Sequence, residues 1–143
     1  MEKLYAEYLL WLHGFYSGER YETLLDACFL NSSEDILLDL EMCSSPMRDA
    51  RGRFLRYWSY ECPIFDADTF GKSLFAGLKT VYEAGAFCIE DFGRRCYQLW
   101  KDIPDSLNQT EPFFILCYAD DCLSWGDEAQ TRNLYEQAFS FYE

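Results

Sequence analysis

The sequence predicts an all-α protein forming one compact domain over residues 1–143, built from about seven short helices. Three observations carry this. Apolar side chains recur at three- and four-residue spacing in most windows, caps and breakers punctuate those windows, and the stretches between them are short. There are also 12 Phe, 11 Tyr and 4 Trp. Side chains that each bury about 150–250 Å² give a chain of this size ample material for a core. Tyrosine exceeds what a core needs, so part of it is expected at the surface or an interface.

The elements follow in order. Leu4, Tyr8, Trp11 and Phe15 form one stripe of a first helix, which Gly14 and then Ser17-Gly18 should end. A second runs over Tyr21–Leu30 and stops at Asn31-Ser32-Ser33. Ser33 is the expected N-cap of a third, with Glu34 and Asp35 in its first turn and Ile36, Leu37 and Leu40 on its apolar face. Ser45-Pro46 reads as cap and first-turn proline of a helix to about Tyr60, broken by Cys62-Pro63. An aspartate at 66 or 68 caps the next, where Leu74, Phe75, Leu78, Val81 and Tyr82 share a face and Gly85 is the stop. Ile89, Phe92, Cys96, Leu99 and Ile103 mark another, before Pro104. Thr110-Glu111-Pro112 reads as cap, acid and proline ahead of FFILCYADDCLSW. Within that stretch Phe113–Tyr118 has the aromatic and β-branched content of a small buried strand, although the cap signals favour helix. After Gly126-Asp127, a closing helix places Leu134, Ala138 and Phe141 on one side, beside Tyr135, Phe139 and Tyr142.

Charge is the second theme. The chain carries 25 acidic and 12 basic side chains, a net charge of −13. A disordered acidic tract would lack the aromatic residues, so this chain is expected to fold and still project a negative field. The distribution is uneven: residues 1–45 hold nine acids and two bases, whereas residues 46–60 hold Arg48, Arg51, Arg53 and Arg56 with Asp49 alone against them. This arginine-rich helix reads either as counter-charge to acidic neighbours or as a phosphate-binding face. The acidic surroundings oppose a nucleic-acid backbone, so no nucleic-acid binding is expected.

The seven cysteines, at 28, 43, 62, 88, 96, 117 and 122, are odd in number and form no CxxC pair. The start MEKLYAEYLLWLHGFY has no basic region before its apolar stretch, which Glu7 interrupts. Reduced thiols and a cytoplasmic location are therefore expected, and no apolar run approaches the ~20 residues of a membrane span.

Catalytic signatures are sparse. Tyr118-Ala119-Asp120-Asp121 resembles the YxDD box of reverse transcriptases, in which paired aspartates hold catalytic metal. The likeness extends over four residues, and a polymerase palm would also need a third aspartate on a neighbouring strand, fingers for the nucleotide and several times the basic surface present. In a helix the two carboxylates would point about 100° apart and could not chelate one ion together. His13 is the single histidine, which removes most general-base designs; it reads as a residue on the flank of the first helix. The cysteine spacings fit no zinc site, and no phosphate-binding, dinucleotide or nucleophile-elbow motif occurs. No catalytic residue, metal ligand or cofactor is assigned, and an enzyme is not expected.

What remains is recognition. Asp120, Asp121, Asp127 and Glu128 cluster at the junction of the last two helices beside Tyr118 and Trp125, where aromatics can anchor and carboxylates select a basic partner. The alternative for this junction is a merely solvated acidic patch. Asp39 and Glu41 form a second acidic pair, beside Leu40. In its small size and acidic character the chain resembles bacterial immunity proteins of contact-dependent and polymorphic toxin systems. That resemblance implies a cytoplasmic protein that neutralises a basic toxin domain, a nuclease among the candidates. It also implies Tyr118, Asp120, Asp121, Trp125, Asp127 and Glu128 as first contacts, with Asp39 and Glu41 next. Nucleic-acid mimicry and a metal-dependent hydrolase using clustered carboxylates are the alternatives.

Overall fold

The computed structural model describes residues 1–62 and 64–143. It is all helical: α1 (Glu2–Leu12), α2 (Glu19–Asn31), α3 (Asp35–Glu41), α4 (Pro46–Arg56), α5 (Ala67–Ala84), α6 (Ile89–Trp100), α7 (Ile115–Tyr118) and α8 (Glu128–Ser140). A single π-helical turn, Tyr57–Glu61, extends α4, and a 3-10 segment, Ala119–Trp125, extends α7. No strand occurs among the described residues, so the small strand considered over 113–118 is absent.

The first helix is the axis of the core. Leu4, Tyr5, Ala6, Tyr8, Leu9 and Leu10 are all buried, because α5 flanks it on one side while α2 and α4 pack on others. Tyr5 sits 5.1 Å from Phe54 and 5.8 Å from Phe70, ring centre to ring centre, and Phe70 continues to Phe113 at 5.9 Å. The tyrosines are mostly internal, with hydroxyls on backbone carbonyls: Tyr5 donates to Asp102, Tyr8 to Met47 and Tyr16 to Gly77, each at 2.7 Å. Those three tips are satisfied, whereas the buried hydroxyls of Tyr21 and Tyr135 have no hydrogen-bond partner among the described residues. Tyr60 is the well-exposed tyrosine, 85% accessible.

Several helix ends follow the local signals. Ser45 precedes Pro46 at the first turn of α4, Asp66 accepts from the Thr69 amide at 3.1 Å, and Gly85 closes α5. Others do not. Glu34, not Ser33, stands at the start of α3, and its amide donates to the Ser32 hydroxyl at 3.3 Å. Thr110 caps nothing: its hydroxyl turns back to the Leu107 carbonyl at 2.7 Å, and residues 111–114 are turns. The fourth helix ends in the π turn, with the Cys62 amide on the Tyr57 carbonyl; the proline of the predicted Cys62-Pro63 break lies outside the described residues. Phe141 falls beyond α8 and is 58% exposed rather than buried. No described helix is long and apolar enough to cross a membrane.

Candidate functional site

The C-terminal acidic junction forms where α7 runs into the 3-10 segment. Ala119 is fully buried and accepts a 2.6 Å hydrogen bond from Thr131, the one buried polar side chain among the described residues, which ties the segment to α8. Gly126, at φ +79, makes the left-handed turn that a side chain would disfavour, and Asp127 then caps α8 through the Gln130 amide at 3.0 Å. A 3-10 helix turns about 120° per residue, so Asp120 and Asp121 diverge. Asp120 faces α6 at Gly93, where a Cβ would come within 2.7 Å of its own. Burial, then the charge of Asp121, pushes the Asp120 carboxyl above its ordinary range.

The six predicted contact residues therefore share a junction but not a role. Asp127 is a cap, Glu128 pairs with Arg132 at 3.1 Å, and Tyr118 leans half-buried on Phe114 at 5.3 Å. Asp121 and Trp125 are left open to solvent, Trp125 67% exposed. Among the described residues no three His, Cys, Asp or Glu side chains are arranged to hold a metal ion, so the resemblance to the YxDD box ends with its four letters.

The arginines of α4 act as counter-charge. Arg53, only 9% exposed in its side chain, donates to Asp39 of α3 at 2.6 Å and with both terminal nitrogens to Glu61 at 2.9 and 3.1 Å. Arg51 reaches Asp102 at 2.8 Å and Arg48 holds Asp49 at 2.9 Å, while Arg56 makes no ion pair among the described residues. A phosphate-binding face would need these donors free. Asp39 is thus an ion-pair link between α3 and α4, with half of its side chain still exposed.

Glu41 sits differently. It lies at the end of α3 opposite Asp26 and Glu22 of α2, and nothing basic answers the three among the described residues. The neighbouring Asp26 carboxyl, then burial and the charge of Glu22, push the Glu41 carboxyl upward. The side chains line a cleft of about 230 Å³ with Tyr21, Leu25 and Leu40. A second cleft, of about 440 Å³, opens beside Glu34, Asp35 and Glu61, where the Tyr57 hydroxyl donates to Glu34 at 3.2 Å. Glu19, Glu22, Asp26, Glu34, Asp35 and Glu41 have no ion-pair partner among the described residues; Glu22, Asp26 and Glu41 share the α2–α3 cleft, Glu34 and Asp35 line the one beside Glu61, and Glu19 lies toward Glu7 and Arg20. The same two helices and their ends expose Leu30 (82%), Leu38 (52%) and Met42 (76%).

Sequence reasoning ranked this face second and named only Asp39 and Glu41 of it. The signal was present in the acid excess of residues 1–45; the pairing of Asp26 with Glu41 is tertiary and left no spacing to read. His13 was also read too simply. At the end of α1 its Nε2 donates to Asp102 at 2.7 Å, and its carbonyl accepts from Arg95 at 3.0 Å. With Arg51 on the other oxygen of Asp102, the three side chains join α1, α4 and the end of α6. Burial raises the Asp102 carboxyl, but the hydrogen bonds from His13 and Arg51 and the charge of Arg51 outweigh it and hold the group below its ordinary range.

No family model matches the chain, and no curated protein or solved structure matches it either.

Proposed function

We propose that this protein is a non-enzymatic, cytoplasmic binding protein that neutralises a basic protein partner by covering its working surface, as immunity proteins cover toxin domains. The observation that carries the proposal is the α2–α3 face. Glu22, Asp26 and Glu41, from two helices, line one cleft without an ion-pair partner among the described residues, and the same helices and their ends expose Leu30, Leu38 and Met42. Unneutralised charge of one sign, set on a rigid helical scaffold, accelerates encounter with an oppositely charged surface and repels acidic competitors. Exposed Leu and Met supply the apolar area that holds the complex once formed. A cleft that cuts nucleic acid must itself be cationic, so a nuclease toxin is the partner class that this surface suits best.

The C-terminal junction, with Asp121 and Trp125 exposed, ranks below it because its other carboxylates are capped, paired or half-buried. Affinity capture with three baits tests the assignment: the unaltered chain, a Glu22→Lys/Asp26→Lys/Glu41→Lys variant and an Asp121→Lys/Trp125→Ala variant. The first and third should retain the same strongly basic protein and the second should lose it. Retention by the second bait with loss by the third would reject the α2–α3 assignment, and recovery of acidic proteins alone would reject the function.

A further inference from the structure

Resting on that reading, we propose that the cleft between α2 and α3 receives one arginine side chain of the basic partner, its guanidinium held by Glu22, Asp26 and Glu41 and its aliphatic stem laid along Leu25 and Leu40. The cleft, about 230 Å³, is below the usual size of a small-molecule pocket and suits a single long side chain.

Two independent observations meet there. The first is charge: Glu22, Asp26 and Glu41, supplied from two helices, line one cleft and have no ion-pair partner among the described residues, so three like charges stand close together. A cation placed among them relieves their mutual repulsion. The second is Tyr21. It lines the cleft and is 1% exposed, yet its hydroxyl makes no hydrogen bond among the described residues. A buried hydroxyl without a partner is costly, and an incoming N–H group would satisfy it.

Arginine fits better than lysine. Its planar fork offers five donors to several acceptors at once, and it sheds water more easily than an ammonium group. Its stem covers apolar walls while the charge meets the rim.

The test is an NMR titration of the full chain with N-acetyl-arginine amide, N-acetyl-lysine amide and the neutral isostere N-acetyl-citrulline amide. The arginine compound should shift the amides of residues 21–26 and 40–43 saturably in the millimolar range, the lysine compound more weakly and the citrulline compound not at all. Asp26→Asn/Glu41→Gln, which preserves shape, should weaken the arginine response at least tenfold with circular dichroism unchanged. Tyr21→Phe should weaken it about threefold while leaving the fold at least as stable, because the unpaired hydroxyl is gone. Equal responses to arginine and citrulline, a tighter response to lysine, unchanged affinity in Tyr21→Phe, or shifts scattered over the acidic surface would overturn the proposal. Capture of the basic partner separates the two readings: a partner held equally by the unaltered chain and by Asp26→Asn/Glu41→Gln rejects the arginine cleft alone, whereas no basic partner at all rejects the function.

Discussion

Replacing Asp102 with alanine should destabilise the fold by about 2–3 kcal/mol. Its carboxylate accepts from His13 at 2.7 Å and from Arg51 at 2.8 Å, so one truncation releases the end of α1 and the middle of α4 from the end of α6. The His13 contact is nearly enclosed, with both side chains 14% exposed, and a hydrogen bond involving a charged group in that setting contributes about 1.5–3 kcal/mol. The Arg51 side chain is 48% exposed, so solvent screens its share to about 0.5 kcal/mol. For a chain of this length about 3 °C of Tm accompanies each kcal/mol, giving a fall of about 6–9 °C.

The pH profile supplies a sharper signature. The folded-state value of Asp102 is depressed, so its stabilisation is complete above the unfolded aspartate value of about 4 and disappears as pH falls through the lower folded value. Urea denaturation followed by tryptophan fluorescence, at several pH values from about 3 to 7, measures this. The difference between the unaltered chain and Asp102→Ala should be steady at neutral pH and shrink in acid. A loss below about 0.5 kcal/mol at pH 7, or a gap that widens in acid, would refute the role given to this triad.

Three further outcomes are expected. Thr131→Val keeps shape but removes the hydrogen bond to the Ala119 carbonyl, and urea titration should show a loss of about 1 kcal/mol. Gly93→Ala drives a methyl against Asp120 and Tyr135; thermal melting should show destabilisation of about 1–3 kcal/mol, and proteolysis should find the 119–125 segment loosened. Asp66→Ala removes the α5 cap and should cost about 1 kcal/mol, whereas Ser33→Ala, at a position that caps nothing, should be close to neutral by the same assay.

The helical class was legible because the signals that set it are local. Pro46, Asp66, Gly85 and the Gly126-Asp127 pair act through their own backbone or the next turn, and each marks an observed boundary. Thr110 and Ser33 carry the same local chemistry and fail, because a hydroxyl can serve a preceding carbonyl or yield to a neighbour just as readily. Phe141 misled as well: it stands at the C-cap of α8 and is 58% exposed, while the next ring, Tyr142, packs against Phe75 and Phe113. The candidate site was less legible still. An acid count cannot separate Asp39, clamped by Arg53, from Glu41, which faces only other acids; that difference depends on which helix packs opposite. The tie between His13 and Asp102 spans 89 positions and has no sequence signature.

The most direct measurement is the rate at which the captured basic partner associates with the chain as salt is raised, for the unaltered protein and for Glu22→Lys/Asp26→Lys/Glu41→Lys. The unaltered chain should associate fast at low salt and slow steeply with ionic strength, and the variant should start at least tenfold slower with a much flatter dependence. Matching rates and matching salt slopes for the two would contradict a functional role for the α2–α3 carboxylates.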